Sequence, residues 1–332
     1  MATQITIERI LAEYGRYYEQ AGQNRNRLFR ALMQPSVTLD KLSTQMKTED
    51  TIFRMANFKF QRLMQPFRKQ FEPQGGVEFF PNEIRLRQIK VDLDMYPHDI
   101  EDSWLGFLGG DSSRNLTDWP IVRWIMEEYI ANQVQEEKEL EVIYKGVYKP
   151  TGNSPIDTMD GIKQQLINGA NADYPINVID GIGAFDEATI FNQLEEYDKK
   201  LPPLYTGKPL IHFMSENNVR LFLTKKREKG FYFISSPNQI DASIDFTNHV
   251  VVGLPSMNET NDIFTTFRNN VIHVSKRSFG SANLDMQKYD RQVKILTDWW
   301  EGIGFACNQM VWTTRETLTP LTPAPETSGS GS

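Results

Sequence analysis

Residues 85–96 read RLRQIKVDLDMY, and residues 117–148 read TDWPIVRWIMEEYIANQVQEEKELEVIYKGVY. The first stretch alternates, offering Leu86, Val91, Leu93 and Met95 to one face and Lys90, Asp92 and Asp94 to the other, the pattern of a half-buried strand. A polar connection with Gly106, Gly109, Gly110, Asp111, Ser112 and Ser113 leads to Thr117-Asp118-Trp119-Pro120, where a capping side chain and a first-turn proline announce a helix. Apolar residues then recur at Val122, Ile125, Met126, Tyr129, Ile130 and Val134 before the charged run Gln135 to Glu139. The spacing predicts a helix over 118–145, buried first and solvated later, stopped at Gly146 and about 40 Å long.

At 332 residues and 39% hydrophobic, the chain can bury a substantial core as two domains or one elongated subunit. No stretch approaches the roughly 18 apolar residues of a membrane span. The opening MATQITIERILAEYGRYYEQ reads as an acid-bearing amphipathic helix rather than a signal peptide, so the protein is expected to start life in a cytoplasm. The single cysteine, Cys307, excludes an internal disulfide framework; it is expected to share a buried face with Ile303 and Phe305. Net charge is −7, but residues 1–90 carry +6 and the remainder −13. A basic arm of this kind faces either nucleic acid or acidic neighbours of its own type, and the second is the simpler account.

Residues 3–33 read as a helix ended by Pro35, and 36–50 as a polar linker. A basic, aromatic hairpin follows: Phe58 and Phe60 alternate with Lys59 and Gln61, Phe67 and Phe71 flank Arg68-Lys69-Gln70, and Pro73 to Gly76 supply the turn before Val77 to Phe80. Two strands alone are marginal in water, so the hairpin must lie on another part of the fold or on a neighbouring subunit. Beyond the long helix, helices are expected around Ile162 to Ile167 and over 185–199. Leu210 to Met214 reads as a strand turning at Ser215 into a helix that ends before Gly230. Val250 to Leu254 and Val271 to Val274 read as strands, and Arg291 to Leu296 and Ile303 to Trp312 as an antiparallel pair about Asp298 to Gly302. Residues 316–332 read as a disordered tail or linker.

Chemistry-bearing patterns are weak. His98, His212, His249 and His273 have no partner at metal-ligand spacing and read as structural. Asp92 and Asp94 read as a solvated strand face. Asp180 to Phe185 lacks the third glycine of a dinucleotide cradle. No phosphate-binding loop, nucleophile elbow or Cys/His pair is present, so catalysis, cofactor and metal are not expected.

The order of elements resembles the major capsid proteins of tailed double-stranded DNA bacteriophages, the Hong Kong 97-like fold, over residues 1–315. Three stretches carry the likeness: Pro209 to Asn217; Val250 to Asn258 with Ile263 and Phe267 to Ile272; and Tyr289 to Ile295 with Gly302 to Trp312. Lys90 to Asp94 with Ser103 to Leu108 further resembles phages of gut Bacteroidetes, including the crAss-like group. The resemblance implies an α+β chain with an N-terminal arm (1–48), an extended hairpin or E-loop (49–90), a peripheral domain (91–154 and 266–315) holding the spine helix 118–145, and an axial domain (155–265). Copies of the chain would form the hexamers and pentamers of an icosahedral head. A long rod suits such an extended shell-forming subunit better than a compact enzyme. Scaffold, portal and cement proteins and packaged double-stranded DNA are further implied partners; no membrane is. Many relatives begin with a long scaffolding region, which implies here a separate scaffold or a mature chain. Lys59 and Lys69 lie where some relatives cross-link, but no catalytic glutamate can be named beside them.

The residues expected to clamp a neighbour are Phe58, Lys59, Phe60, Arg62, Phe67, Arg68 and Phe71, with aromatics as anchors and cations pairing an acidic surface. Two alternatives stand beside this reading: an encapsulin-type nanocompartment shell, which shares the fold, and a single-strand nucleic-acid binder stacking bases on the hairpin.

Overall fold

A computed structural model describes residues 7–14, 36–60, 64–69, 76–96, 103–105, 107–108, 121–230, 234–236, 239–240, 242–276, 283–290 and 292–320. In chain order these form α1 (Ile7–Tyr14), α2 (Val37–Leu42), β1 (Thr44–Thr48), β2 (Ile52–Phe60), β3 (Val77–Arg85), β4 (Arg87–Met95), the long helix α3 (121–142), α4 (Ile162–Ala170) and β5 (Asn177–Ile179). They continue with α5 (Ile190–Lys199), β6 (Ile211–Ser215), α6 (Glu216–Glu228), the short pair β7 (Ile234–Ser236) and β8 (Gln239–Ile240), β9 (Val250–Leu254), β10 (Ile263–Thr266), β11 (Val271–Lys276), β12 (Asn283–Tyr289), β13 (Gln292–Phe305) and β14 (Val311–Thr314).

Two five-stranded sheets organise the molecule. The first runs β1-β11-β13-β12, with β4 on the opposite edge of β13; the second runs β5-β14-β10-β6-β9. Strand β13 is the axis of the first sheet, pairing β12 through residues 292–298, β11 through 301–305 and β4 through 293–301. The expected break at Asp298 to Gly302 is therefore wrong. Residues that read as a turn are held inside a 14-residue strand: Trp299 and Glu301 are buried, Glu301 against a lysine, and glycine at 302 admits another backbone. The true break is the helical turn Asn308–Met310, after which β14 crosses into the second sheet between β5 and β10. Cys307 lies past the strand end and is half-buried rather than buried.

Helix α3 begins as α-helix and alternates with π-helical segments at Ile125–Ile130 and Lys138–Val142. Its 22 residues span about 33 Å; the capping residues 117–120 lie outside the described residues. The expectation of a solvated second half fails at Lys138, which is only 5% exposed within the charged run. Tyr129 is instead exposed, its ring edge against Trp124.

The end of α3 is spliced to the start of α4. Gly161, Ile162 and Lys163 donate their backbone N–H groups to the carbonyls of Gly146, Ile143 and Tyr144 at 2.8, 2.9 and 3.0 Å. Orphan acceptors of one helix thus satisfy orphan donors of the next, with the dipoles opposed favourably. Such an approach needs glycine: a Cβ on Gly146 would meet the Met159 carbonyl oxygen at 2.5 Å.

Residues 36–50 are not a linker. The Ser36 hydroxyl accepts from the Leu39 N–H at 3.2 Å and caps α2, whose Leu39 and Leu42 are buried, and β1 then pairs in parallel with β11. These elements are too short to declare a period. Within the alternation around β4, Ile89, Val91 and Met95 share the core side, whereas Leu86 sits at the junction of β3 and β4 and packs with Ile84, Ile272 and Val274. Helix α5 starts at Ile190, five residues later than the pattern suggests, because the Asp186 carboxylate and carbonyl accept the Ala188 and Ile190 amides in a preceding turn. The chain also stays in the fold past 315, since Thr317 is buried and its hydroxyl lies 3.1 Å from the Ile263 amide nitrogen, which donates to it.

The larger core lies between α3 and the two sheets, and a second core packs α5 and α6 on the second sheet. No helix among the described residues is long and apolar enough to cross a membrane.

Candidate functional site

Strands β2 and β3 form the expected antiparallel hairpin, in register from Ile52 opposite Arg85 to Phe60 opposite Val77. Its base is clamped onto β13. A Cβ on Gly302 would stand 2.7 Å from the Arg85 carbonyl oxygen, and one on Gly304 would stand 2.8 Å from Ile84 Cγ1. Asn57 and Asn82 donate their side-chain N–H groups to the carbonyls of Ala306 and Phe305 at 2.7 and 2.6 Å. Further out, Phe80 stacks on Tyr174 with centroids 3.9 Å apart, and the Tyr174 hydroxyl donates to Glu78 at 3.2 Å. Among the described residues further out, Phe67 is 92% exposed, Met64 97%, and Arg68 is exposed. Of the other residues expected to clamp a neighbour, Phe58, Lys59 and Phe60 lie on β2 opposite Phe79, Glu78 and Val77, while Arg62 and Phe71 fall outside the described residues.

A second apolar exposure was not visible in sequence. Phe246 is fully exposed at φ 65°, an unfavourable backbone region for a bulky residue, and Leu204 is exposed on the neighbouring turn. The two turns are joined by Asn248, which donates to the Thr206 and Gly207 carbonyls at 3.3 and 2.9 Å.

Three buried ionic clusters hold helices to sheets. On the first sheet, Lys138 donates to Glu301 Oε1 at 2.7 Å, and His273 Nε2 stands 3.7 Å from Oε2. Burial pushes the Glu301 carboxyl up, but the Lys138 ammonium, aided by His273, overcomes this and brings it to about 2. At 3.7 Å the imidazole is outside hydrogen-bond reach, so Lys138 is the principal partner. At the helix splice, Lys163 and the Tyr144 hydroxyl both donate to Asp262 Oδ2, at 2.9 and 2.8 Å; burial and the carboxylate push the Tyr144 phenol up.

The third cluster corrects the reading of isolated histidines. His212 Nε2 and His249 Nδ1 lie 3.0 and 2.5 Å from the same oxygen, Oδ1 of Asp198. His212 is on β6, His249 immediately precedes β9, and Asp198 is in the last turn of α5; the parallel pairing of β6 with β9 brings them together. Fourteen and 51 residues separate Asp198 from the two histidines, so spacing carried no signal. Burial lowers the His212 pKa, against the pull of Asp198.

The remaining acidic candidates stay ordinary. Asp92 and Asp94 are exposed on β4, with Asp92 paired to Lys90. Asp180 accepts from Arg315 at 2.7 Å beside a turn whose Gly181 and Gly183 both have positive φ. Between β4, α3 and the loop 148–158 runs a groove of about 890 Å³, lined among others by Lys90, Asp92, Glu137, Lys149 and Trp299.

No protein-family model and no curated protein matches the chain. Solved structures do. The chain is similar to the capsid of the empty GTA particle, at a TM-score of 0.54 and 11% identity over 85% of this chain and 90% of that one. It is similar to the satellite phage P4 procapsid, solved with its size determination protein, at 0.51 and 12% over 88% and 90%. The capsid of the native GTA particle gives 0.52 and 11% over 85% and 96%. At such identities the likeness is one of chain path: the chain has the Hong Kong 97-like fold.

Proposed function

We propose that this chain is the major capsid subunit of a tailed double-stranded DNA bacteriophage, a structural protein rather than a catalyst. The observation that carries this reading is the extent of the likeness: shell proteins of three particles follow the same chain path over 85 to 88% of this chain. Copies of the chain assemble as hexamers and pentamers around packaged DNA, in a virion built in the host cytoplasm with scaffold, portal and cement proteins as further partners. The arm is 1–48, the E-loop 49–90, the peripheral domain 91–154 with 266–315, and the axial domain 155–265. β1 and β14 refine that division, since they bind their segments into the first and second sheets respectively.

Phe58, Lys59, Phe60, Arg62, Phe67, Arg68 and Phe71 clamp the neighbouring subunit. An exposed Phe67 supports this, because a solvent-facing aromatic on the hairpin gains by burial against a second copy. The Phe246 and Leu204 turns offer a second anchor. Several weak contacts per subunit multiply into a stable shell. The narrower likeness to crAss-like phages of Bacteroidetes rests on residues 90–94 and 103–108 alone.

Negative-stain electron microscopy with mass photometry of the expressed chain tests the reading. Shells, rings or hexamer sheets are expected. A monomer at high concentration and low salt, with and without a scaffold, would sink it and direct attention to nucleic-acid binding by the hairpin, recognisable by steep salt dependence.

A further inference from the structure

The cluster of Asp198, His212 and His249 is 8%, 0% and 1% exposed and belongs to neither assembly surface. Its hydrogens are fixed by what surrounds it. His249 Nε2 lies 2.9 Å from the Tyr205 carbonyl oxygen, which can only accept, so this nitrogen bears hydrogen. In a neutral ring Nδ1 is then a bare lone pair, and it faces Asp198 Oδ1.

His212 is oriented by a longer chain. Its Nδ1 lies 2.6 Å from Thr265 Oγ1, which lies 2.9 Å from the Tyr197 hydroxyl, which donates to the Trp312 carbonyl at 3.1 Å. One direction satisfies all three contacts. Tyr197 spends its only hydrogen on the carbonyl, so Thr265 donates to Tyr197, and His212 Nδ1–H donates to Thr265. That leaves Nε2 of His212 as a second lone pair aimed at Asp198 Oδ1. Two imidazole lone pairs and a carboxylate oxygen thus converge, all within 4.8 Å of one another.

We propose that Asp198, His212 and His249 bind one divalent transition-metal ion of the zinc type through Oδ1, Nε2 and Nδ1. Two nitrogens and one carboxylate oxygen suit zinc, and bonds of about 2.0–2.2 Å require only a modest opening of the cluster. Each ligating imidazole has its other nitrogen anchored by an acceptor that sets the ring's orientation and tautomer, the outer shell expected of a metal-bound histidine. The ligands sit at the C-terminal end of α5, where the helix dipole favours a cation. The ion would join α5, β6 and the segment entering β9, so its role is structural.

The full chain, purified without a metal-affinity column and stripped with EDTA, is titrated with zinc sulfate by calorimetry, with metal content read by mass spectrometry. One equivalent of zinc per chain and a raised melting temperature are expected, with affinity lowered on the order of 100-fold in H249Q and in D198N. Should those variants not fold, nitrogen-15 spectra of the wild-type imidazoles decide: zinc is expected to shift His212 Nε2 and His249 Nδ1 while their partner nitrogens stay protonated. A folded wild-type chain that takes up no zinc overturns the proposal, as does an imidazolium His249 that zinc leaves unchanged.

Discussion

At Glu301 a carboxylate is buried beside one lysine and one imidazole; at Asp198 a carboxylate is buried beside two imidazoles. The first is balanced by charge. Lys138 supplies a full cation, while Glu301 Oε2 and His273 Nε2 are left without hydrogen-bond partners. The second is ordered by geometry, because the outer nitrogen of each ring is anchored by an acceptor and the inner nitrogens of both face one carboxylate oxygen. A cluster held by net charge fails when one charge is removed, whereas one held by direction fails when an angle is lost.

The largest expected effect follows from that asymmetry. Lys138→Met leaves Glu301 as an uncompensated buried anion and should cost about 3–5 kcal/mol in denaturant unfolding, with K138M/E301L recovering most of it. A loss under about 1 kcal/mol in the single variant would remove charge balance as what holds the first cluster.

Acid should act on the same pair. Glu301 is ionised in the fold down to about 2, against an ordinary 4.5, so its contribution is complete above pH 4.5 and disappears as pH falls toward 2. The conversion gives at most about 3 kcal/mol. Unfolding free energies measured across that range should slope in the wild type and flatten in E301Q; equal slopes would contradict the assignment.

Gly304→Val tests the hairpin base, where packing rather than charge does the holding. Overpacking against Ile84 should cost about 1–3 kcal/mol and raise hydrogen exchange in β2 and β3 before β11. Uniform exchange across both would mean that the clamp is not local.

The smallest stability effect is expected where the assembly effect is expected to be large. Phe67→Ser should stay within about 0.5 kcal/mol of wild type in unfolding while shifting mass photometry toward smaller species. Undiminished assembly would take Phe67 off the contact surface.

The parts legible in sequence are those whose signals are local. The turn chemistry at Pro73 to Gly76 and the alternation on either side of it announced the hairpin, and Ser215 announced α6, its hydroxyl indeed accepting from the Asn218 amide. β13 was misread because its middle residues are polar or bulky for reasons that lie elsewhere in the chain: Glu301 answers Lys138, 163 positions away, and Gly302 answers Arg85. α2 and β1 were missed because five or six residues cannot show a period. Of the residues expected to clamp a neighbour, Phe67 and Arg68 are exposed, whereas the exposed Phe246 gave no signal, since one aromatic in a polar loop looks like any other. The pairing of His212 with His249 depends on which strands are neighbours, and strand order is written in no single stretch.

The splice between α3 and α4 bears on how this molecule can deform. A chain bends where backbone groups can exchange one partner for another or for water at little cost. Between 142 and 163, however, the carbonyls of Val142, Ile143, Tyr144 and Gly146 each hold an amide of the loop or of the following helix. Tyr144 and Lys163 then meet on Asp262, one residue before β10. The rod and the second sheet consequently share an elbow without slack, so a rotation imposed on one is delivered to the other.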